Sequence, residues 1–500
     1  MPKDSRMAFM ELKTLECLDR MVITGTSQSF GYDKAMKSYC YSNRLDENFL
    51  ADWARPITDR IREWAEGAAC LSGEDMVDCN KYKGRKDDLV KKIIKLNAIE
   101  YGKPILVFKS MENCFSFYRS QSAKNAKLKG SPFRLRSSKC LHFYIYFTDE
   151  VLGLICLRIQ SYAPFAIQYI MNGHHILEKL MLHKGLVFSK EDNCFTYIKD
   201  QEKANGLSHS ITGPFIVDRL NVISKETIPL TDIMPLWYRF TVRQIEFSTD
   251  VYTPKTEDGI RKTQDTILQL CFQQPDDFIT YLTDSKRPPK KPEFSYRNTH
   301  LGICAKFHSG TTSIKVYHKR DEVLRIETSC YNLRKLRVKR TMKSKSGELK
   351  VAMAPMTRSL TDIGLFIEFS RNANNRMRER LAIMWSRSYS HSKLQSISQR
   401  TKNQKVNSSG INVFDPRDSS ILEAVGSPQF DLSGFKRSDL LKATNLTPGQ
   451  GTYALRRLKA HKLIKKINGT NHYFPTKTGR SACITVKTLQ NLVAVPIMAA

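Results

Sequence analysis

The order of apolar and polar positions divides the chain into stretches of different period. Over the first hundred residues the spacing is helical: Leu12, Leu15, Leu18 and Met21 recur every third position, and Phe49, Leu50, Trp53, Ile57, Ile61 and Trp64 line one side of a second helix. Residues 87–96 predict a third helix, with acids in its first turn and lysines on its outer face. From Pro104 the period moves towards two. Residues 105–108, 140–147 with 151–160, and 193–198 predict strands, whereas 170–184 predicts a helix closed by Gly185.

The longest strand pattern is LWYRFTVRQIEFSTDVY over 236–252, which puts Glu246 and Asp250 on one face. Residues 312–330 then alternate twice about a charged turn at 319–322. This predicts a hairpin that gathers Tyr317, Lys319, Arg325 and Glu327. A helix near 263–283, a Pro/Lys-rich linker at 285–292, a strand over 302–307 and an Arg-rich helix over 360–385 complete this region. Residues 386–412 have lost nearly all apolar content, the pattern of a flexible basic linker. No sequence repeat is visible.

The final segment predicts helices at 419–425, 436–443 and 447–461, the last opened by Thr447-Pro448. A strand, a turn at Asn468-Gly469 and a returning strand follow. Three helices and a hairpin predict a winged helix-turn-helix. Tyr453, Arg456, Arg457 and Lys459 on its third helix suit a DNA major groove, and Lys465, Lys466 and His472 flank the wing. The expected fold is therefore α+β: a helical N-terminal region (1–100), an α+β domain with a basic loop at 124–139 (101–235), a strand-rich mixed core ending in the Arg-rich helix (236–385), the linker (386–412) and the winged helix (413–490).

Length and composition narrow the function. Five hundred residues suggest roughly two to four domains of ~100–200 residues, and 41% hydrophobic content is ample for buried cores. The formal net charge is +31, spread along the chain. Such an excess favours a polyanion, with DNA the first partner expected; RNA fits the charge equally, although no RNP or KH motif favours it. The run Arg334, Lys335, Arg337, Lys339 and Arg340 after the hairpin is a candidate nucleic-acid contact. No window approaches the ~18 apolar residues of a spanning helix, and the first residues lack a signal-peptide pattern, so no membrane partner and a cytoplasmic location are expected. The cysteines stand singly without a CxxC pair, which points to core thiols and away from zinc. A homodimer is compatible with all of this.

Tyr317, Lys319 and the downstream Leu324-Arg325-Ile326-Glu327 carry the candidate chemistry. A phenol needs a neighbouring cation or metal to become a nucleophile, and Lys319 and Arg325 are placed to serve. Phosphoryl transfer takes Mg²⁺ or Mn²⁺ on hard oxygens, for which Glu246, Asp250 and Glu327 are the expected ligands. This Tyr-x-Lys with Leu-Arg-x-Glu resembles the active-site strand pair of rolling-circle replication initiators. The resemblance implies a metal-dependent tyrosine nicking and strand-transfer enzyme of a mobile element or replicon. The His-hydrophobic-His metal motif of other initiators is broken at His142-Phe143-Tyr144, and His174-His175 cannot easily share a metal from one helix. The alternative is a DNA-binding regulator, or an RNA-binding protein, without catalysis, in which Tyr, Lys, Arg and Glu merely pair across an ordinary sheet.

Two further resemblances stand beside this one. The segment from Leu455 to Arg480 is similar to MarR-like winged-helix regulators. Phrases around Asp19, Lys139–His142, Arg158–Gln160, Asn172–His174 and Asp192–Phe195 resemble a group of bacterial proteins of similar length, which implies no activity.

Overall fold

In the computed structural model the long alternating run becomes a strand at the middle of an 11-stranded sheet. The structure describes residues 5–483 except 46–48, 98–99, 120–132, 231–237, 273–292, 300–301, 344–346, 387–396, 404–405, 413–414, 428–429, 431–433, 468, 477 and 481. The expected linker at 285–292 and most of the basic loop at 124–139 lie outside these. The chain opens with α1 (Ser5–Met10), β1 (Thr14–Ser27), α2 (Asp33–Ser42), α3 (Phe49–Ser72), β2 (Val77–Asp78) and α4 (Lys86–Leu96). A meander follows, β3 (Pro104–Arg119), β4 (Phe133–Asp149), β5 (Gly153–Gln160) and β6 (Ile167–Asn172). Next come α5 (Gly173–His183), β7 (Phe188–Glu191), β8 (Cys194–Ile198), α6 (Gln201–His209) and α7 (Gly213–Thr227).

The second part repeats the plan with β9 (Tyr238–Val251), α8 (Glu257–Phe272) and the meander β10 (Glu293–Thr299), β11 (Gly302–Ser309), β12 (Thr312–Lys319) and β13 (Val323–Cys330). The sheet order is β10-β11-β12-β13-β9-β1-β6-β5-β4-β3-β2. Antiparallel β1 and β9 sit at its centre, and each is flanked by the last strand of its own four-strand meander. One topology thus occurs twice, although no periodicity of residues announces it. The expected boundaries at 100 and 235 both fall within this one sheet.

Two expectations are corrected here. The helix read from Leu12, Leu15, Leu18 and Met21 is strand β1. Its register against β9 shifts between Leu18 and Met21, so that Asp19 and Arg20 together oppose Glu246. That bulge inserts one residue into the alternation, and the strand is buried on both faces from Cys17 to Ile23 except at Arg20, so apolar Leu15, Leu18 and Met21 can stand at helical spacing in a strand. The helix expected from 170 begins at Gly173: residues 167–172 are strand β6, and the Asn172 side chain caps α5 by accepting from the His174 amide.

β14 (Arg337–Lys343) and β15 (Leu349–Pro355) form a separate two-stranded ribbon, followed by α9 (Ile363–Ser386), the expected Arg-rich helix. α9 covers one face of β9 and β13, where Asn374 bonds Thr249, Thr328 and the Ile326 carbonyl. Residues 397–412 are not the bare linker expected. They contain β16 (Thr401–Asn403) and β17 (Val406–Ser408), and Ile397 and Ile411 are buried in the C-terminal core. That core is built by α10 (Pro416–Val425), α11 (Arg437–Ala443), α12 (Pro448–Ala460) and the hairpin β18 (Ile464–Lys466) and β19 (Tyr473–Pro475). Thr447 and Gln450 close a capping box at the start of α12, with Pro448 in its first turn. No helix among the described residues is long and apolar enough to cross a membrane.

Candidate functional site

Alternation decides which side chains meet. On β13, Leu324, Ile326 and Thr328 face α9, leaving Arg325, Glu327 and Ser329 on the other side. On β9, Thr249 turns to α9 while Glu246, Ser248 and Asp250 turn with Arg325. The expected hairpin forms, and its register sets Tyr317 opposite Arg325, Lys315 opposite Glu327 and Lys319 opposite Val323. Into this face the β1 bulge aims Asp19, and α5 brings His174. The approach is close: a Cβ on Gly173 would lie 2.2 Å from the Leu18 carbonyl oxygen.

Two neighbouring clusters result. In the first, fully buried Arg325 donates from Nε and a terminal nitrogen to the two oxygens of Asp250 (2.6 and 2.7 Å), and reaches Asp19 at 3.1 Å. It also donates to His174 Nε2 (3.0 Å) and to the Asn193 carbonyl (2.7 Å). Asn193 contacts Asp19 at 3.0 Å, Asn172 donates to the same carboxylate oxygen, and Lys319 bonds the Asn193 side chain. Burial would raise the pKa of Asp250, yet Arg325 above all brings it down to about 2. Asp19 is likewise held well below the carboxylate range by His174 and Arg325 against the cost of burial. Burial, with Arg325 nearby, lowers Lys319 to about 8.

In the second cluster the carboxylates of Asp19, Glu246 and Glu327, all buried, bring one oxygen each within 4.8 Å of one another. The Tyr317 hydroxyl donates to Glu327 Oε2 (3.0 Å), and Lys315 Nζ lies 2.5 Å from Oε1 and 3.7 Å from Glu246. Burial first, and repulsion from Glu327 second, push Glu246 up to about 7 despite the pull of Lys315. Burial first, and Glu327 second, raise the Tyr317 pKa well above its ordinary value. Three carboxylate oxygens this close together are hard donors of the kind Mg²⁺ or Mn²⁺ takes.

Of the ligands expected, Glu246 and Glu327 meet as anticipated, whereas Arg325 grips both oxygens of Asp250, and Asp19, itself bonded by Arg325, Asn172 and Asn193, stands in the third place. Lys319 and Arg325 were expected to act on the phenol. Both are instead committed to Asn193 and the aspartates, and Lys315 is the cation at Glu327. Asp19, Lys315, His174 and Asn193 escaped the motif reading because three of them come from distant segments and Lys315 looked like one more surface lysine. The resembling phrases at Asp19, Asn172–His174 and Asp192–Phe195 were the available signal, since all converge on Arg325.

The basic candidates divide by exposure. Arg334, Lys335, Arg337 and Lys339 are exposed and Arg340 is half-buried. In the C-terminal unit Tyr453, Arg456, Lys459, Lys465 and Lys466 are exposed and His472 is half-buried. Arg457 is different: it clamps Asp418 through two bonds of 2.7 Å and the Gly410 carbonyl at 2.6 Å, which makes it a packing residue and not a groove reader. Compared with protein-family models, curated proteins and solved structures, the chain matches none.

Proposed function

We propose that this chain is a metal-dependent DNA strand transferase with Tyr317 as nucleophile. The observation that supports it is the bond from the Tyr317 hydroxyl to Glu327, one of three carboxylates gathered from three strands. In this reading the phenolic oxygen attacks a backbone phosphorus and the phosphorus–O3′ bond breaks. The strand is left joined through its 5′-phosphate to Tyr317, with a free 3′-hydroxyl. The phenol proton passes to Glu327 Oε2, and the departing oxygen takes a proton from solvent. Asp19, Glu246 and Glu327 would hold Mg²⁺ or Mn²⁺, which supplies Lewis-acid stabilisation of phosphate charge. The Arg325 cluster fixes Asp19 in place. The C-terminal unit serves as a winged helix-turn-helix presenting Arg456 and Lys459 to duplex DNA, and the protein works in the cytoplasm.

A second reading, a DNA-binding regulator without catalysis, draws support from Lys315, whose ion pairs already tie Glu327 to Glu246 as a structural bridge would. One experiment separates the two. Purified protein is incubated with Mn²⁺ and a labelled single-stranded pool that includes DNA flanking its gene, then run on a denaturing gel. A covalent protein–DNA band in wild type that is lost in Tyr317→Phe is expected. Retained DNA binding with no band in either protein would overturn the enzyme reading in favour of the regulator.

A further inference from the structure

The β14–β15 ribbon carries a surface that the strand-transfer site does not use. Its register pairs Arg337 with Pro355, Lys339 with Met353 and Thr341 with Val351 on one face, and Val338 with Ala354 and Arg340 with Ala352 on the other. The second face is anchored: Val338 and Ala354 are buried, and Val338 joins Leu336 and Met356 in the main core. The first face is open. Met353 is 55%, Val351 61% and Leu349 74% exposed, so alternate residues of β15 form an apolar row that grows more exposed towards the turn. Across from this row lie exposed Arg337 and Lys339, with exposed Arg334, Lys335 and Arg358 around the base and exposed Lys350 beside the turn. The ribbon is a sheet of its own, and among the described residues no third strand pairs with either edge.

Three apolar side chains in line on a solvent-facing strand carry a cost unless something covers them. The charge around them selects the occupant. A protein partner's apolar patch would gain nothing from the surrounding cations, whereas duplex DNA offers phosphates to the cations and base edges to the apolar row. β-Ribbon and β-sheet proteins lay their strands in the major or the minor groove of duplex DNA. Apolar wedges backed by Arg and Lys are also how proteins unstack base steps.

The base of the ribbon is joined to the catalytic strand. The Val242 amide of β9 donates to the Arg358 carbonyl at 2.8 Å, and Met356 donates to Leu336 at 2.8 Å. Val242 precedes Glu246 on β9 by about 14 Å at ~3.4 Å per residue.

We infer that the β14–β15 ribbon is a duplex-opening wedge: Arg337 and Lys339 hold the phosphates of double-stranded DNA while Leu349, Val351 and Met353 enter the groove and unstack a base step. This rests on the DNA reading of the site, and it answers a need of that reading. Tyr317 is half-buried in the sheet, and a strand freed from its duplex partner can bend towards it more easily than a stacked and paired one.

The test uses the full-length protein and a duplex oligonucleotide carrying 2-aminopurine, whose fluorescence rises on unstacking. Wild type should raise the signal. The Val351→Ser/Met353→Ser protein should bind with an unchanged salt slope and give no rise. Arg337→Ala/Lys339→Ala should lower the slope of log K against log salt by about 2, for two lost phosphate contacts. These substitutions are on exposed faces, and circular dichroism would verify folding. Wild-type signal in the apolar variant would overturn the wedge. If binding and Tyr317 adducts persist in that case, the wedge alone has failed. If wild type binds no DNA at all, the strand-transferase reading falls with it.

Discussion

Arg325 grips both oxygens of Asp250 at 2.6 and 2.7 Å, and both side chains are fully buried. The guanidinium fork fits a carboxylate in a way that an ammonium cannot. Replacing Arg325 with Leu strands two buried carboxylates, Asp250 and Asp19, and should cost about 3–5 kcal/mol of stability in denaturant titrations. Arg325→Lys should recover only a fraction, whereas Arg325→Leu/Asp250→Leu should recover more, because removing both charges leaves less to neutralise. A single variant as stable as wild type would show that the pair is not structural.

The carboxylate group should separate from its neighbour Ser248 in metal titrations. Asp19→Asn and Glu246→Gln are expected to weaken Mn²⁺ binding by at least about tenfold, and to abolish the rise in melting temperature that Mn²⁺ gives wild type by mass action. Ser248 lies on the same strand face without belonging to the carboxylate group, so Ser248→Ala should leave Mn²⁺ affinity within about twofold. Equal loss in all three would mean that the carboxylate group has no special place in metal binding.

Gly173 controls the approach of α5 to β1. Gly173→Ala would force a Cβ into the Leu18 carbonyl, moving His174 from Asp19 and Arg325. A loss of about 1–3 kcal/mol is expected, together with weaker Mn²⁺ binding. Unchanged thermal melting would contradict the close contact.

In the C-terminal unit, adjacent arginines should part company. Arg456→Ala should weaken DNA binding and flatten its salt dependence without altering the melt. Arg457→Ala should destabilise the unit by about 3 kcal/mol, since Asp418 loses the partner that offsets its burial. Equal effects on binding and stability for both would refute the assignment.

Acid stability should depend on Glu178. Lys190 Nζ lies 2.5 Å from it and His175 3.6 Å, and these partners outweigh burial to lower its pKa from 4.5 to about 2. A carboxylate with a depressed folded pKa contributes stability that is complete above about pH 4.5 and is lost as pH falls towards 2. After solvent screening the contribution is on the order of 2 kcal/mol. Glu178→Gln should flatten that part of the stability profile, and an unchanged slope would exclude the pair as its source.

Local patterns were legible wherever neighbours in sequence are neighbours in space. Alternation and a charged turn set the β12–β13 hairpin and brought Tyr317 opposite Arg325 and Glu327 onto the same face. Apolar periodicity placed α3, α4 and α9, and capping chemistry located α12. The strand β1 was misread because a bulge and burial on both faces disguised its period. Arg457 was misassigned because a helical residue's burial depends on what packs against it, here Asp418 on another helix.

By itself, then, the sequence determined the mixed α+β class, the hairpin, the strongly basic character and the elements of the C-terminal unit, all of which follow from short-range periodicity or summed charge. Only the tertiary structure decided which carboxylates share a site. Asp19 and Arg325 meet across 306 residues. Their contact requires the doubled sheet topology to set β1 against β9 and a bulge to turn Asp19 inward, and pairing between strands so far apart leaves no period in the chain. The same long-range pairing engaged Asp250 with Arg325 and left Asp19 beside Glu246 and Glu327.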